Sequence, residues 1–347
     1  MFAFIDEARR QAGFWFDAAG LGKDEAPFRV AWQAEGARLR AYGGAGAGEG
    51  APILIVAAPF KGPYIWDLLP QVSVVRRCLD RGLQVYLLEW TRPGPGDDHG
   101  LEDYCHRFLA DAASAIHRET GQAQITVAGH SLGGTFAAIF ASLHPERVLR
   151  LLLVDAPLSF GPEGGPIARM ARAFPDPAPV RRSVGSPIPG SALTLLSLCA
   201  VPEEFILQRY RDLAASLADP QALALHLAII RWTLDEFPMT GRLFEETLQL
   251  LYREDRFARN RLELSGERTG IGRLRGPVLA VLNPHSDVVP PGSVQAGLRA
   301  VPELAATMVV YEGDRGAALQ HVGPLVGRHA HERLWPKLLS WIENGDE

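Results

Sequence analysis

The chain is poor in the features that mark several large classes of protein. It has three cysteines in 347 residues, Cys78, Cys105 and Cys199, at no paired or metal-type spacing. That argues against a disulfide framework or a zinc site and suits a reducing compartment. Basic charge is not in excess: 35 Lys and Arg stand against 40 Asp and Glu, a net charge of −5, with no basic stripe. No nucleic-acid partner is expected. No apolar run is long enough to span a bilayer, and the N-terminal "MFAFIDEARRQ" turns charged at Asp6, too early for a signal-peptide core. What is left is a chain 47% hydrophobic and 22% charged, the composition expected of a cytoplasmic, enzyme-sized protein with a sizeable core.

Short apolar runs alternate with helical patterns for most of the length. Residues 28–42 read as two strands turning near Glu35-Gly36. "ILIVAAP" (53–59), "QVYLLEW" (84–90), "QITVAG" (124–129) and "RLLLVDAP" (150–157) are nearly continuous apolar runs. Such runs suit parallel strands covered on both faces. Helical patterns lie between them at about 64–81, 101–119 and 132–143. Strand, helix, strand and helix follow at about 277–283, 291–300, 306–311 and 322–344. The alternation predicts an α/β fold with a doubly wound, mostly parallel sheet. Residues 158–190 are a connector rich in Pro and Gly. The stretch beyond it looks wholly helical up to 277, with Leu223, Leu227 and Ile230 on one face and Leu248, Leu251 and Tyr252 on another. The expected organisation is a core of 1–157 and 271–347 with a helical cap insertion at 158–270.

"ITVAGHSLGGTFAAIF" (125–140) carries the chemistry. Gly129-His130-Ser131-Leu132-Gly133 is a Gly-x-Ser-x-Gly pattern between strand and helix, the signature of a nucleophile elbow in the α/β-hydrolase fold. A serine on so sharp a turn is strained, and small residues must flank it. The Leu132 N–H is an expected oxyanion donor, with a second from Phe60 or Lys61 in the loop after strand 53–58. Serine needs a base oriented by an acid. In chain order the acid and base follow the nucleophile, and Asp287 and His321 end the two later strand units. Asp155, at the end of the strand after the elbow helix, is the alternative acid. His285 is too near Asp287 to partner it. Asp314 reads as solvated, and His130 as a structural residue turned away from the serine. His329 and His331 point to different sides of a helix, and "GDDHGLEDY" (96–104) reads as a polar loop starting a helix. No metal and no cofactor are expected.

Beyond the elbow, the sequence resembles the polyhydroxyalkanoate synthases over roughly residues 28–343. The resemblance rests on "PFKGPYIWDLLPQVSVVRRCLDRGLQVYLLEW" (59–90), "LEDYCHRFLADAASAIHRETG" (101–121), "LHPERVLRLLLVDAPLSF" (143–160), "RWTLDEFPMTGRLFEETLQLLYRED" (231–255), "SDVVPPGS" (286–293) and "QHVGPLVG" (320–327). It implies Asp287 as acid, His321 as base, and substrates of the 3-hydroxyacyl-CoA or hydroxyalkanoate-ester type. The short length resembles that of members working with a partner subunit. Three departures stand out: Ser131 where the family has cysteine, Leu319-Gln320 where it has small glycine residues, and Glu89 where it has Asp.

A thiolate exchanges acyl groups with a CoA thioester at little energetic cost, whereas serine makes a more stable oxygen ester. The expectation is therefore a (thio)esterase acting on 3-hydroxyacyl esters, thioesters or oligomers. The alternatives are a polyhydroxyalkanoate synthase with serine as nucleophile, and an inactive relative that binds polyester granules or synthase subunits. A partner subunit or a homodimer is compatible with each, and so is a place in the cytoplasm or at a polyester granule.

Overall fold

A computed structural model describes residues 1–43, 50–173, 176–314 and 319–345. Its frame is an eight-stranded sheet. A hairpin, β1 (Phe28–Ala34) and β2 (Ala37–Tyr42), joins antiparallel to β4 (Gln84–Trp90). From β4 onward every pairing is parallel: β3 (Pro52–Val56), β5 (Ile125–His130), β6 (Val148–Val154), β9 (Val278–Leu282) and β10 (Ala306–Val310). The small hairpin β7 (Leu262–Leu264) and β8 (Glu267–Thr269) stands apart from this sheet. The order is β1-β2-β4-β3-β5-β6-β9-β10.

The continuous apolar runs have the predicted cause. β3, β5 and β9 are buried at every residue, between one apolar layer holding Phe108, Phe136 and Phe140 and another holding Trp66 and Trp335. At the edge, β10 has no fully buried residue and leaves Met308 and Val310 exposed. The chain runs from β3 outward to β4 on one side and returns to β5 on the other. The strand order therefore reverses between β3 and β5, and a crevice opens beyond their C-terminal ends. The loop after β3 and the elbow after β5 both face it.

Glu89 on β4 is a structural residue. It is buried and receives Arg38 Nε and Arg40 Nε, each at 2.6 Å, from the neighbouring β2. Burial would raise its carboxyl, but the two guanidiniums hold it below the usual range.

Between β6 and β9 lie the helices Gly165–Ala173, Ala178–Val184, Gly190–Ala200, Arg209–Ser216, Pro220–Leu234 and Gly241–Glu246, with π-helical turns at Glu203–Gln208 and Thr247–Arg253. Two expectations need correction here. The Pro-rich connector holds two short helices, with Pro166 and Pro179 each second in its helix, where a missing N–H costs nothing. The stretch is also not wholly helical: β7 and β8 pair across a turn in which Ser265 and Gly266 take positive φ, a short hairpin with too few apolar residues to show alternation. The N-terminal helix Phe2–Ala18 packs on Gly190–Ala200 and Pro220–Leu234, and Asp17 pairs with Arg231 at 2.8 Å.

Candidate active site

The elbow is built by close approach. Ser131 sits between β5 and the helix Leu132–Leu143 at φ 55°, ψ −135°, a conformation side-chain-bearing residues avoid. A Cβ on Gly129 would lie 2.6 Å from the Gly133 carbonyl oxygen, and one on Gly133 would lie 2.3 Å from that of Val56. Only glycine fits at either position, and the turn lifts Ser131 into a cavity of about 260 Å³. His321 lines the same cavity, as do Leu132, Phe60 and Lys61. None of the three cysteines lines it.

The acid beside His321 is Asp155. His321 Nδ1 lies 2.8 Å from Asp155 Oδ2. Asp155 follows β6 in a left-handed turn at φ 46°, and its N–H donates to the Val281 carbonyl at 3.1 Å. It is completely buried. Burial raises its carboxyl to about 6, against the lowering pull of the His321 hydrogen bond. Asn283, just past β9, donates from Nδ2 to the Gln320 carbonyl at 2.8 Å and is 3.5 Å from Asp155 Oδ2. A carbonyl acceptor fixes the Asn283 amide, which supports both partners of the pair.

Asp287, the expected acid, is exposed and does not meet His321. Neighbouring residues on a tight turn project to different sides, and here Ser286 takes the inner one: its Oγ is 3.4 Å from His321 Nδ1. A carboxylate from the inserted helices fixes that turn. Glu204 is buried and accepts the backbone N–H of Asp287 at 2.8 Å and of Val288 at 3.2 Å through Oε2. Through Oε1 it accepts the N–H of His321 at 2.8 Å. One side chain thus ties together the inserted segment, the loop after β9 and the backbone of the base.

His130 does not simply turn away. It is buried on the cavity wall, its ring centroid is 4.5 Å from that of His321, and its Nε2 lies 2.8 Å from the His321 carbonyl oxygen. Burial first, then the neighbouring imidazole, push its pKa well below the usual range. The neutral ring must therefore carry its proton on Nε2 and donate to that carbonyl. His130, Asp155 and His321 place potential ligand atoms within 4.8 Å of one another. However, Nδ1 of His321 and an oxygen of Asp155 are already bonded together, the arrangement of a proton-relay pair.

Lys61 has a partner of its own. Its ammonium pairs with Glu236, which also receives Thr194 Oγ1 and lies 3.4 Å from Arg9. Burial lowers the Lys61 pKa, and the Glu236 charge opposes that shift. Asp314 is not solvated either: it accepts Tyr311 Oη at 2.5 Å and the His329 N–H at 2.9 Å. Elsewhere the plain readings hold: Asp103 accepts the Gly100 N–H and Arg107, and His285 meets the Glu312 carbonyl.

Comparison with known proteins gives the same fold and the same likeness as the sequence. A model of the alpha/beta hydrolase fold matches residues 62–175. The chain is 30% identical over 298 residues to the poly(3-hydroxyalkanoate) polymerase subunit PhaC of Haloferax mediterranei, covering 85% of this chain and 59% of that protein. It is 28% identical to the subunit of the same name from Synechocystis, over 84% of this chain and 77% of that one. This chain is polyhydroxyalkanoate-synthase-like, of the α/β-hydrolase fold. It spans about three fifths of the length of the Haloferax protein. Among solved structures, the enol-lactonase of Burkholderia xenovorans superposes with a TM-score of 0.54 at 15% identity, over 91% of this chain and 99% of that one, a likeness of fold alone.

Of the site residues, Glu204, Asn283 and Glu236 escaped the sequence reading. Asn283 had a signal, a lone amide ending an apolar strand. Glu204 and Glu236 had none, because nothing local tells an inward carboxylate from a solvated one.

Proposed function

We propose that this chain transfers 3-hydroxyacyl groups through an ester on Ser131, as a synthase-type acyltransferase. The observation that carries it is the buried Asp155–His321 pair, whose imidazole lines the Ser131 cavity, in a chain similar to PhaC subunits over most of its length. In this reading His321 Nε2 takes the Ser131 proton as Oγ attacks the thioester carbonyl. The C–S bond breaks, and the proton returns to the departing thiol. A hydroxyl from a second hydroxyacyl group then attacks the acyl-serine, and His321 again moves the proton. The Leu132 N–H, with one from Phe60 or Lys61, holds the oxyanion. Asp155, ionised, stabilises the imidazolium that forms between steps. The mainly helical segment 158–270 acts as the cap that closes this site.

Hydrolysis is the second reading, favoured by serine standing where the resemblance implies cysteine. The relatives' names weigh toward polymerisation. Incubating the purified protein with 3-hydroxybutyryl-CoA and, separately, with 3-hydroxydecanoyl-CoA separates the readings. Polymer supports synthase-type transfer, free acid with CoA supports hydrolysis, and neither product leaves an inactive binding relative. The exposed face of the helix Phe2–Ala18, with Phe4, Phe14 and Trp15, supports attachment to a partner subunit or a polyester surface. Among the described residues no single helix is long and apolar enough to cross a membrane.

A further inference from the structure

A second chamber, of about 120 Å³, adjoins the catalytic cavity. The two share Phe60, Leu132, Ile167, Ser197 and Tyr252 as walls. They differ in chemistry. The catalytic cavity carries Arg9, Lys61, Arg209 and Glu236. The side chamber is walled by Met170, Val180, Leu196 and Phe244 among others, and its polar members are Ser197, Thr247 and Arg253.

We propose that this chamber receives the aliphatic tail of the hydroxyacyl group, so that medium-length 3-hydroxyacyl chains are the preferred donors. The inference rests on the reading of Ser131 as the acylated residue. Leu132 relates the two spaces: it directly follows Ser131 and walls both cavities. An acyl carbon on Ser131 Oγ, with its oxygen at the Leu132 N–H, starts beside that shared wall. Protein interiors are packed to the density of organic crystals, so an unfilled apolar space that shares walls with the cavity of a reactive group is a ligand site before it is a packing defect. Methionines 170 and 239 on the wall suit chains of differing length, because an unbranched thioether adapts its shape. The charged side of the catalytic cavity is left for the hydroxyl and carrier ends of the donor.

The test compares kcat/KM for 3-hydroxydecanoyl-CoA and 3-hydroxybutyryl-CoA. The longer donor should be favoured by about a hundredfold or more, given what each buried methylene contributes. Leu196→Trp and Val180→Trp, which fill the chamber, should bring the ratio near one, and Met170→Ala should move the optimum to longer chains. A wild-type ratio of one or less, or a ratio that no correctly folded variant moves, overturns the proposal. A binding arm needs no turnover: Ser131→Ala should bind 3-hydroxydecanoate more tightly than 3-hydroxybutyrate, and adding Leu196→Trp should abolish the difference. Equal binding of the two acids overturns the chamber. Selective binding with no acyl transfer to Ser131 keeps the chamber and sinks the acyl-serine reading. Transfer with no chain-length preference does the reverse.

Discussion

Asp155 gives up hydration entirely and faces His321 from inside the protein. Two consequences follow at the residue scale. Asp155→Asn should lower kcat by about ten-thousandfold, because the amide no longer holds the productive tautomer or stabilises the imidazolium. Asp287→Asn, exposed and bound to Glu204 only through its backbone, should stay within about twofold. Steady-state kinetics on both variants check this, and a collapse in Asp287→Asn alone would reverse the assignment. The second consequence is in pH. With its folded pKa raised from 3.8 to about 6, Asp155 binds its proton more tightly in the folded chain than in the unfolded one. Stability from this group is therefore present below pH 4 and lost as pH rises through 6, a loss on the order of 3 kcal/mol. Asp155→Asn should thus gain that much over wild type between pH 4 and pH 8 in denaturant titrations, while wild-type activity falls as pH drops through about 6. A pH-independent stability difference would contradict the burial argument. The acid was half legible in the sequence. Both aspartates end strands, which spacing reveals, but which one turns inward depends on Ser286 and Glu204, and a turn's facing is not written in local pattern.

Among the elements, the link that matters is Glu204, reaching from the π-helical turn Glu203–Gln208 to two loops of the core. Glu204→Leu would strand three buried or half-buried N–H groups, at a cost of about 1–3 kcal/mol each. It should lower stability by at least about 3 kcal/mol in urea titration and reduce kcat as the His321 backbone loosens. Glu204→Gln, which keeps one of the two acceptor oxygens and turns an NH2 toward the other N–H, should recover only part of the stability. Equal stability of Glu204→Leu and wild type would remove the clamp from the account. Elements with strong periodicity were readable: the elbow helix was expected at 132–143 and spans Leu132–Leu143. The pattern at 64–81 was read as one helix, yet the chain there makes turns at Pro63–Trp66 and Pro70–Val72 before the helix Val74–Asp80. Pro70 breaks the run, while the apolar spacing around it still reads as helical.

For the molecule as a whole, alternation of apolar runs and helices was enough to specify a doubly wound sheet. The crevice between β3 and β5 follows from the strand order, which collects Ser131, His321 and the loop at Phe60 although 261 positions separate the loop from the base. The N-terminal helix was not anticipated, since its packing against Gly190–Ala200 and Pro220–Leu234 is a long-range event. Its outer aromatics give a prediction at this scale. Replacing Phe4, Phe14 and Trp15 together by serine should weaken co-sedimentation with polyester particles or a partner subunit and leave turnover of soluble donors within about twofold. Unchanged co-sedimentation would show that this face has no such role.

The most direct measurement is peptide mass spectrometry after brief incubation with 3-hydroxybutyryl-CoA. The account predicts a hydroxyacyl adduct on the peptide bearing Ser131, absent in Ser131→Ala and formed far more slowly in Asp155→Asn. An adduct on Cys199 or another side chain, or one that forms as fast without the Asp155 carboxylate, would contradict it.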